Sequence, residues 1–343
     1  MLSAEKIAKF GQRQLRILKS KITASKDPLY CMFAVTNNCN SKCVMCNFWK
    51  NKSTNELTKE EIRQLFSARL FKNLISISIT GGEPLVRPDI EDIIQIIYET
   101  TGIKPSISTN GFTPLRLKGI LDKKHKIIDS VGVSLDGLQE THDRIRGIKN
   151  GFDKVNESLK IIKSFGLKAS VNMTLFGENY KNLYETWQQY KDENFSYKVA
   201  QISSSYYGDN TDVELGINEE IKRTILQQIE KINDNSNLYN VFLRDWIKAG
   251  RRPLPCYAGQ YEIYIDAWGN VFPCIHKPRF GNVREEPIEK IWHSDKAEAL
   301  RKVYRTCQDC YERCTVSTFE VDWFKWKLAG RQGENGKDSH LAG

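Results

Sequence analysis

Long apolar runs are missing from this chain. Even the stretch 74–79 is broken by serine, and nothing approaches the roughly 18 residues a membrane-spanning helix needs. Residues 1–27 carry Lys6, Lys9, Arg13, Arg16, Lys19, Lys21 and Lys26 but not the apolar block of a secretory signal. The cytoplasm is therefore the expected compartment. There is no internal repeat and no low-complexity tract. The net charge of +9 is spread along the 343 residues rather than blocked, and no appended RNA-binding motif accompanies it, so nucleic acid is not an expected partner. Residues 4–22 read as a basic helix with a loose apolar face of Ile7, Phe10, Ile17 and Leu18, which leaves peripheral membrane contact open.

Cysteine is concentrated. Of nine, only Cys31 stands alone, as a small buried residue of a first strand. Clusters of thiols in a reducing compartment indicate metal sites rather than disulfides. Cys39, Cys43 and Cys46 form C-x3-C-x2-C with no fourth cysteine nearby. Three thiolates from one loop hold three irons of a cubane cluster and leave the fourth iron open. An open metal position is a place for chemistry, so an enzyme is the leading reading and structural zinc its competitor.

From residue 29 onward strand-like and helical patterns alternate. Strands are expected at 29–35, 74–80, 104–108, 130–135, 168–175 and 197–202, and helices at 59–68, 89–100, 113–122, 152–165 and 182–192. Six βα units in series predict an α/β fold, a partial (β/α)6 TIM-like barrel, with the active site at the C-terminal ends of its strands. The cysteine loop, Gly81-Gly82-Glu83-Pro84, Thr109-Asn110-Gly111 and Asp136-Gly137 follow four successive strands at that end. A helix is expected at 219–233, a Gly-Asn hairpin at 261–265 and 271–274, and one helix at 287–303. The expected division is a basic N-terminal helix (1–28), the barrel (29–235), a linker (236–255) broken by Arg251 to Pro255, a small C-terminal α+β auxiliary-cluster domain (256–322), and a C-terminal helix packed by Trp323, Phe324 and Trp326 with a disordered tail (323–343).

The triplet, Gly81-Gly82-Glu83-Pro84 and Ser134-Leu135-Asp136-Gly137 together resemble the radical S-adenosylmethionine (SAM) superfamily over about residues 29–205. The resemblance implies that Cys39, Cys43 and Cys46 ligate a [4Fe–4S] cluster whose open iron binds SAM. It implies reductive cleavage of SAM to methionine and a 5′-deoxyadenosyl radical, which abstracts a hydrogen atom from substrate. Gly81 and Gly82 would let backbone approach SAM, Glu83 would accept hydrogen bonds from its ammonium, and Pro84 would stiffen the turn. Asn110 would lie near the ribose. Ser134 and Asp136 would bond ribose or methionine groups, with helix capping the alternative for Asp136. Arg146, in Thr141-His142-Asp143-Arg144-Ile145-Arg146-Gly147, would pair with the SAM carboxylate, a surface salt bridge being the alternative, and His142 is not read as catalytic. Asn172 and Thr174 face one way on a strand and would touch the nucleoside. Met45 stands where many relatives carry an aromatic residue, and its thioether would pack over adenine.

Cys256, Cys274, Cys307, Cys310 and Cys314, with Gly269-x4-Cys274 and Cys307-x2-Cys310, resemble SPASM and Twitch domains, which bind auxiliary [4Fe–4S] clusters. Five cysteines suffice for one cluster. The resemblance favours Cys256, Cys274, Cys307 and Cys310, with Cys314 as a substitute or free thiol, and a zinc ribbon competes. The reading is a radical SAM oxidoreductase acting on a small-molecule, lipid or peptide substrate, with the auxiliary cluster accepting or relaying an electron and a flavodoxin or ferredoxin as donor. No sizeable segment precedes Cys39, which favours a small substrate. The alternatives are a crosslinking or epimerising peptide maturase and a non-catalytic iron–sulfur or zinc scaffold.

Overall fold

Alternation with period two shapes the sheet, because successive strand side chains point to opposite faces. In the computed structural model, residues 27–50, 52–200, 209–233, 238–252, 256, 258–308 and 310 are described. Six strands, β1 (Tyr30–Thr36), β2 (Ser76–Gly81), β3 (Ser106–Thr109), β4 (Ser130–Ser134), β5 (Lys168–Leu175) and β6 (Asn194–Val199), pair in parallel in sequence order. Between and after them run α1 (Lys59–Phe66), α2 (Ile90–Thr101), α3 (Pro114–Lys124), α4 (Gln139–Arg146), α5 (Gly151–Ser164), α6 (Leu183–Tyr190), α7 (Glu219–Ile232) and α8 (Leu238–Ala249). Ile77, Ile79, Ile107, Val131, Val133 and Val171 join the apolar core under the helices. The alternate residues Ser78, Ser106, Ser108, Ser134 and Asn172 face the other way and stay partly exposed. The inner wall along β2–β5 is thus lined with hydroxyls and amides and wet.

At β1 the inner wall turns apolar, with Ala34, Tyr264, Phe272 and Ile275 buried together. This change reflects a sheet that does not stop at the barrel. A hairpin of β7 (Glu262–Ile265) and β8 (Asn270–Phe272), followed by β9 (Gly281–Asn282), continues it: β7 lies parallel to β1 with Phe33 opposite Ile265, giving one nine-stranded sheet. The C-terminal cysteine region is therefore a continuation of the barrel sheet rather than a detached unit.

Two expectations are corrected. The linker at 236–255 holds α8, a twelve-residue helix whose Val241, Phe242, Leu243 and Trp246 are buried. The prolines at 253 and 255 gave the sequence signal of a break, and burial of the apolar group that precedes them outweighs it. The helix at 287–303 is two helices, α9 (Ile288–Trp292) and α10 (Asp295–Tyr304). Ser294 has extended backbone, and its side chain accepts from the Ala297 amide as the N-cap of α10. The basic helix at 4–22, strand residues 201–202, Trp323, Phe324, Trp326 and the tail lie outside the described residues. Among the described residues no helix is long and apolar enough to cross a membrane.

Candidate functional site

The cysteine loop leaves the C-terminal end of β1 and is held by backbone from three directions. Lys42 N donates to Arg146 O (3.2 Å), Val44 N to Ile145 O (2.9 Å), and Ser41 Oγ to Arg146 O (2.7 Å). The loop thereby satisfies terminal carbonyls of α4, which would otherwise lack partners. Gly147 closes that helix at φ +62°, and a Cβ there would meet the Lys42 backbone oxygen at 2.6 Å. From the other side Asn47 Nδ2 donates to Asp209 O (2.9 Å) and Asp212 Oδ1 (2.5 Å), and Asn210 Nδ2 donates to Met45 O (3.0 Å). Sequence reasoning missed Asn47, Asn210 and Asp212. Their one signal was the run of short polar residues Asp209, Asn210, Thr211 and Asp212.

Gly81-Gly82-Glu83-Pro84 forms the third support. Gly82 N donates to Thr36 O (2.8 Å) and Glu83 N to Asn38 O (2.9 Å). A Cβ on Gly81, at φ +137°, would strike Thr36 O, and one on Gly82 would lie 2.8 Å from Asn37 O. The glycines are thus required by the approach of the cysteine-loop backbone, a reason the sequence reading did not give. Pro84 opens a one-turn 3₁₀ helix capped by Glu83.

Glu83 is fully buried. Its Oε1 accepts from Leu85 N (3.0 Å) and Thr109 Oγ1 (2.8 Å), and its Oε2 from Asn110 N (2.7 Å). Burial pushes this carboxyl above the usual range, against those hydrogen bonds. Asn110 extends the chain of contacts, its Nδ2 donating to Asn40 Oδ1 (2.7 Å) in the cysteine loop. Three of the four lone-pair positions of the Glu83 carboxylate are occupied within the protein.

Asp136 is also fully buried. It does not cap α4, whose N-cap is Leu138. Its Oδ1 accepts from Thr174 N (2.8 Å), and Arg146 Nε lies 2.5 Å from Oδ2 without the alignment of a hydrogen bond. Arg146 is therefore a buried partner of Asp136, not a surface salt bridge, and its Nη1 sits 3.7 Å from Cys43 Sγ. Burial disfavours the charge of Arg146, but Asp136 and Cys43 outweigh it and hold the guanidinium charged. His142 accepts from Asp136 N at Nδ1 (3.1 Å) between Phe112 and Phe152, and burial lowers its pKa to about 3, so it is neutral. Ser134 stands opposite Asn172 in the β4–β5 register, both partly exposed on the inner wall, and Asn172 Oδ1 accepts from Ser196 Oγ (2.8 Å). Met45 is buried with Ile145, Phe176 and Leu215 beneath the loop, and so anchors the loop rather than facing the bore.

The thiols suit an iron–sulfur group. Burial pushes Cys39 and Cys46 up to about 12, each in the field of the other thiols of the triplet, while the backbone amides of Ser41 and Phe48 donate to their sulfurs. Amide and guanidinium donors aimed at sulfur are what cluster thiolates receive. Without metal such thiols remain protonated, so cluster loading releases their protons.

A second group forms where β8, α10 and the end of α8 meet. Cys256 and Cys310 are buried, Cys274 and Cys307 partly so. Cys256 N donates to Arg305 O (3.2 Å), Cys307 N to Tyr304 O (3.0 Å), and His276 N to Cys274 Sγ (3.4 Å). Burial raises the Cys274 thiol strongly, and Cys310, Cys256 and Cys307 lie near enough to add to the rise. Cys314 lies outside the described residues. Among the described residues no three His, Cys, Asp or Glu side chains converge on a single-ion metal site.

Comparison with known proteins agrees with this geometry. Residues 33–188 match the model of the radical SAM superfamily, and residues 256–311 that of an iron–sulfur cluster-binding domain, SPASM. The chain is similar to the AdoMet-dependent heme synthase of Methanosarcina barkeri, 26% identical over 87% of this chain and 91% of that protein. It is also similar to the subtilosin biosynthesis protein AlbA of Bacillus subtilis, 26% identical over 88% and 68%. The crystal structure of Streptococcus suis SuiB bound to S-adenosylmethionine shares the fold, with a TM-score of 0.60 at 18% identity over 88% of this chain and 74% of that one. Two cysteine sites on one continuous sheet, each within a matched domain, place this chain among the radical SAM enzymes that carry a C-terminal SPASM domain, and its cofactors are SAM, the cluster that binds it and auxiliary [4Fe–4S] iron.

Proposed function

We propose that this enzyme oxidises its substrate, with hydrogen abstraction at the barrel mouth and passage of an electron to an auxiliary cluster held by Cys256, Cys274, Cys307 and Cys310. The observation that carries the reading is the pair of thiol groups. The first is a triplet from one loop with no fourth cysteine, and the second brings four thiols together. Cys39, Cys43 and Cys46 would hold the cluster to which SAM binds, and the bound cofactor would supply radical chemistry for hydrogen abstraction. Gly81, Gly82, Pro84 and Asn110 fix the loop that carries this triplet. Glu83 holds the remaining acceptor position toward the cofactor ammonium. Arg146, neutralised by Asp136, donates toward Cys43. Ser134 and Asn172 present polar groups on the wet inner wall, where they orient ribose or substrate. The apolar wall of Ala34, Tyr264 and Phe272 excludes water on the side nearest the second thiol group. An external one-electron carrier of the flavodoxin or ferredoxin class would supply the first electron.

Relatives support two substrate classes. One is a heme synthase and others are named for peptide products, among them AlbA and the PqqA peptide cyclase of Xanthomonas oryzae. A peptide maturase is the second reading, favoured by the number of relatives so named. The hydroxyl-lined wall suits a polar substrate of either class.

The test is iron content with SAM turnover. Anaerobically reconstituted chain should hold about eight irons, four per cubane. Replacing Cys39, Cys43 and Cys46 by Ala should leave about four and abolish 5′-deoxyadenosine formation. Replacing Cys307 and Cys310 should spare cleavage of SAM but abolish product. Continued cleavage by the triplet variant would refute the site.

A further inference from the structure

Arg252 follows α8 and is almost wholly buried, at 5% exposure. Its guanidinium lies flat over Trp246, 4.4 Å from the ring centroid, with Nη2 3.6 Å from Cys310 Sγ and 3.4 Å from Cys310 O. Nε and Nη1 are buried without a hydrogen-bond partner. The main chain is pinned as well, Arg252 N donating to Gln308 Oε1 at 2.6 Å. A buried charge without compensation is costly. Here the groups that face the guanidinium are the cysteines Cys256, Cys310 and Cys307, which become anionic only on ligating metal, and no carboxylate forms an ion pair with it among the described residues.

The first site differs. Arg146 also reaches a cysteine sulfur, but its charge is cancelled by Asp136. Each cysteine site therefore has one buried guanidinium at a thiol, and only the one at the C-terminal site keeps a net positive charge.

We propose that Arg252 sets the reduction potential of the auxiliary cluster, raising it so that this cluster serves as the electron acceptor. On accepting one electron a cluster with its thiolates gains one negative charge. A fixed cation within hydrogen-bond distance of a ligand sulfur stabilises that form in a site of low dielectric. The electron comes from the substrate radical left by hydrogen abstraction, which is oxidised as the cluster is reduced, and the substrate sheds a proton to solvent as its new bond forms. Trp246 holds the guanidinium plane in place by stacking. Arg252 is thus a positioning residue for electron transfer. The inference rests on the proposed auxiliary ligands.

The experiment uses the full chain with Cys39, Cys43 and Cys46 replaced by Ala, so that only the auxiliary cluster is present. Iron is counted, and reduction is titrated with the signal followed by electron paramagnetic resonance. Arg252→Gln should keep about four irons and shift the reduction equilibrium at least tenfold toward the oxidised cluster, about 59 mV for one electron. Arg252→Lys, which keeps the charge, should restore most of that shift. An Arg252→Gln protein with four irons and an unchanged potential overturns the proposal and leaves the ligand assignment standing. If Arg252→Gln loses its iron, retention of iron and of a near-native potential by Arg252→Lys supports the role of charge, and loss of iron from both variants overturns it in favour of a structural role. Absence of iron from the parent with Arg252 intact would instead refute the ligand assignment.

Discussion

Replacing Glu83 by Gln should destabilise the protein by about 1–3 kcal/mol and weaken SAM binding. The carboxylate is fully buried and accepts from two backbone amides, Leu85 N and Asn110 N, on opposite oxygens, and from Thr109 Oγ1. Glutamine has one acceptor oxygen. If it faces Leu85 and Thr109, its NH2 meets the Asn110 amide, donor against donor. Turned over, the same clash falls on Leu85, while the Thr109 hydroxyl can rotate. Either way one buried amide loses its acceptor, which costs about 1–3 kcal/mol, and the surviving bonds lose their charge assistance, worth about 1 kcal/mol each. Relief of the burial that pushes the carboxyl up offsets part of this, and the net remains within the first figure. The assay is urea unfolding followed by far-ultraviolet circular dichroism, with SAM binding by equilibrium dialysis on reconstituted protein. Thr109→Val keeps both amides on Glu83 but removes the acceptor of Gly111 N, so it should also cost about 1–3 kcal/mol while SAM binding is spared more than in Glu83→Gln. Unfolding of Glu83→Gln at the wild-type urea concentration would show that the three bonds are not what fixes the loop, and the reasoning would fail.

Gly82→Ala places a methyl group against the Asn37 and Asn38 carbonyls. It should cost about 2–3 kcal/mol and empty the first iron site while leaving the second, so reconstituted iron should drop by about half. Normal iron content would refute the close-approach explanation. His142 supplies a pH dependence. Its pKa falls from 6.5 unfolded to about 3 folded because of burial, so between those values the unfolded chain binds the extra proton and stability falls as pH falls. The loss should be about 1 kcal/mol between pH 7 and 5.5. Unfolding at several pH values should show a flatter profile in His142→Gln, whose amide oxygen can still accept from Asp136 N. Identical profiles would assign the slope to other groups.

The sequence disclosed the barrel because six strand-like runs alternate with helical patterns, and the cysteine loop because its spacing leaves few readings. What it hid was local supply of hydrogen-bond partners. Gly81 and Gly82 looked like room for a ligand and turned out to be room for Thr36, Asn37 and Asn38. Arg146 looked like a ligand clamp, but its backbone carbonyl holds the cysteine loop and its side chain is paired with Asp136. The two backbone contacts have no sequence signature, since each joins segments more than forty residues apart, while Asp136 and Arg146 are ten residues apart and carried no mark of pairing. Helix α8 was obscured because prolines just beyond it read as a linker. The parallel pairing of β7 with β1 had no local mark at all.

That last pairing acts as a ruler. Strand β1 ends in the loop of Cys39, Cys43 and Cys46, while β7, running beside it in the same direction, leads through its hairpin to Cys274. The separation of the two iron sites is therefore set by hydrogen-bond register, with strands about 4.8 Å apart, and not by the length of chain between them. A slip of one residue would turn Ile263 and Ile265 out of the core, so the register is enforced by burial. In the proposed reaction an electron passing toward the auxiliary site would then travel a distance fixed by the sheet, whatever the thermal motion of the segment between the two strands.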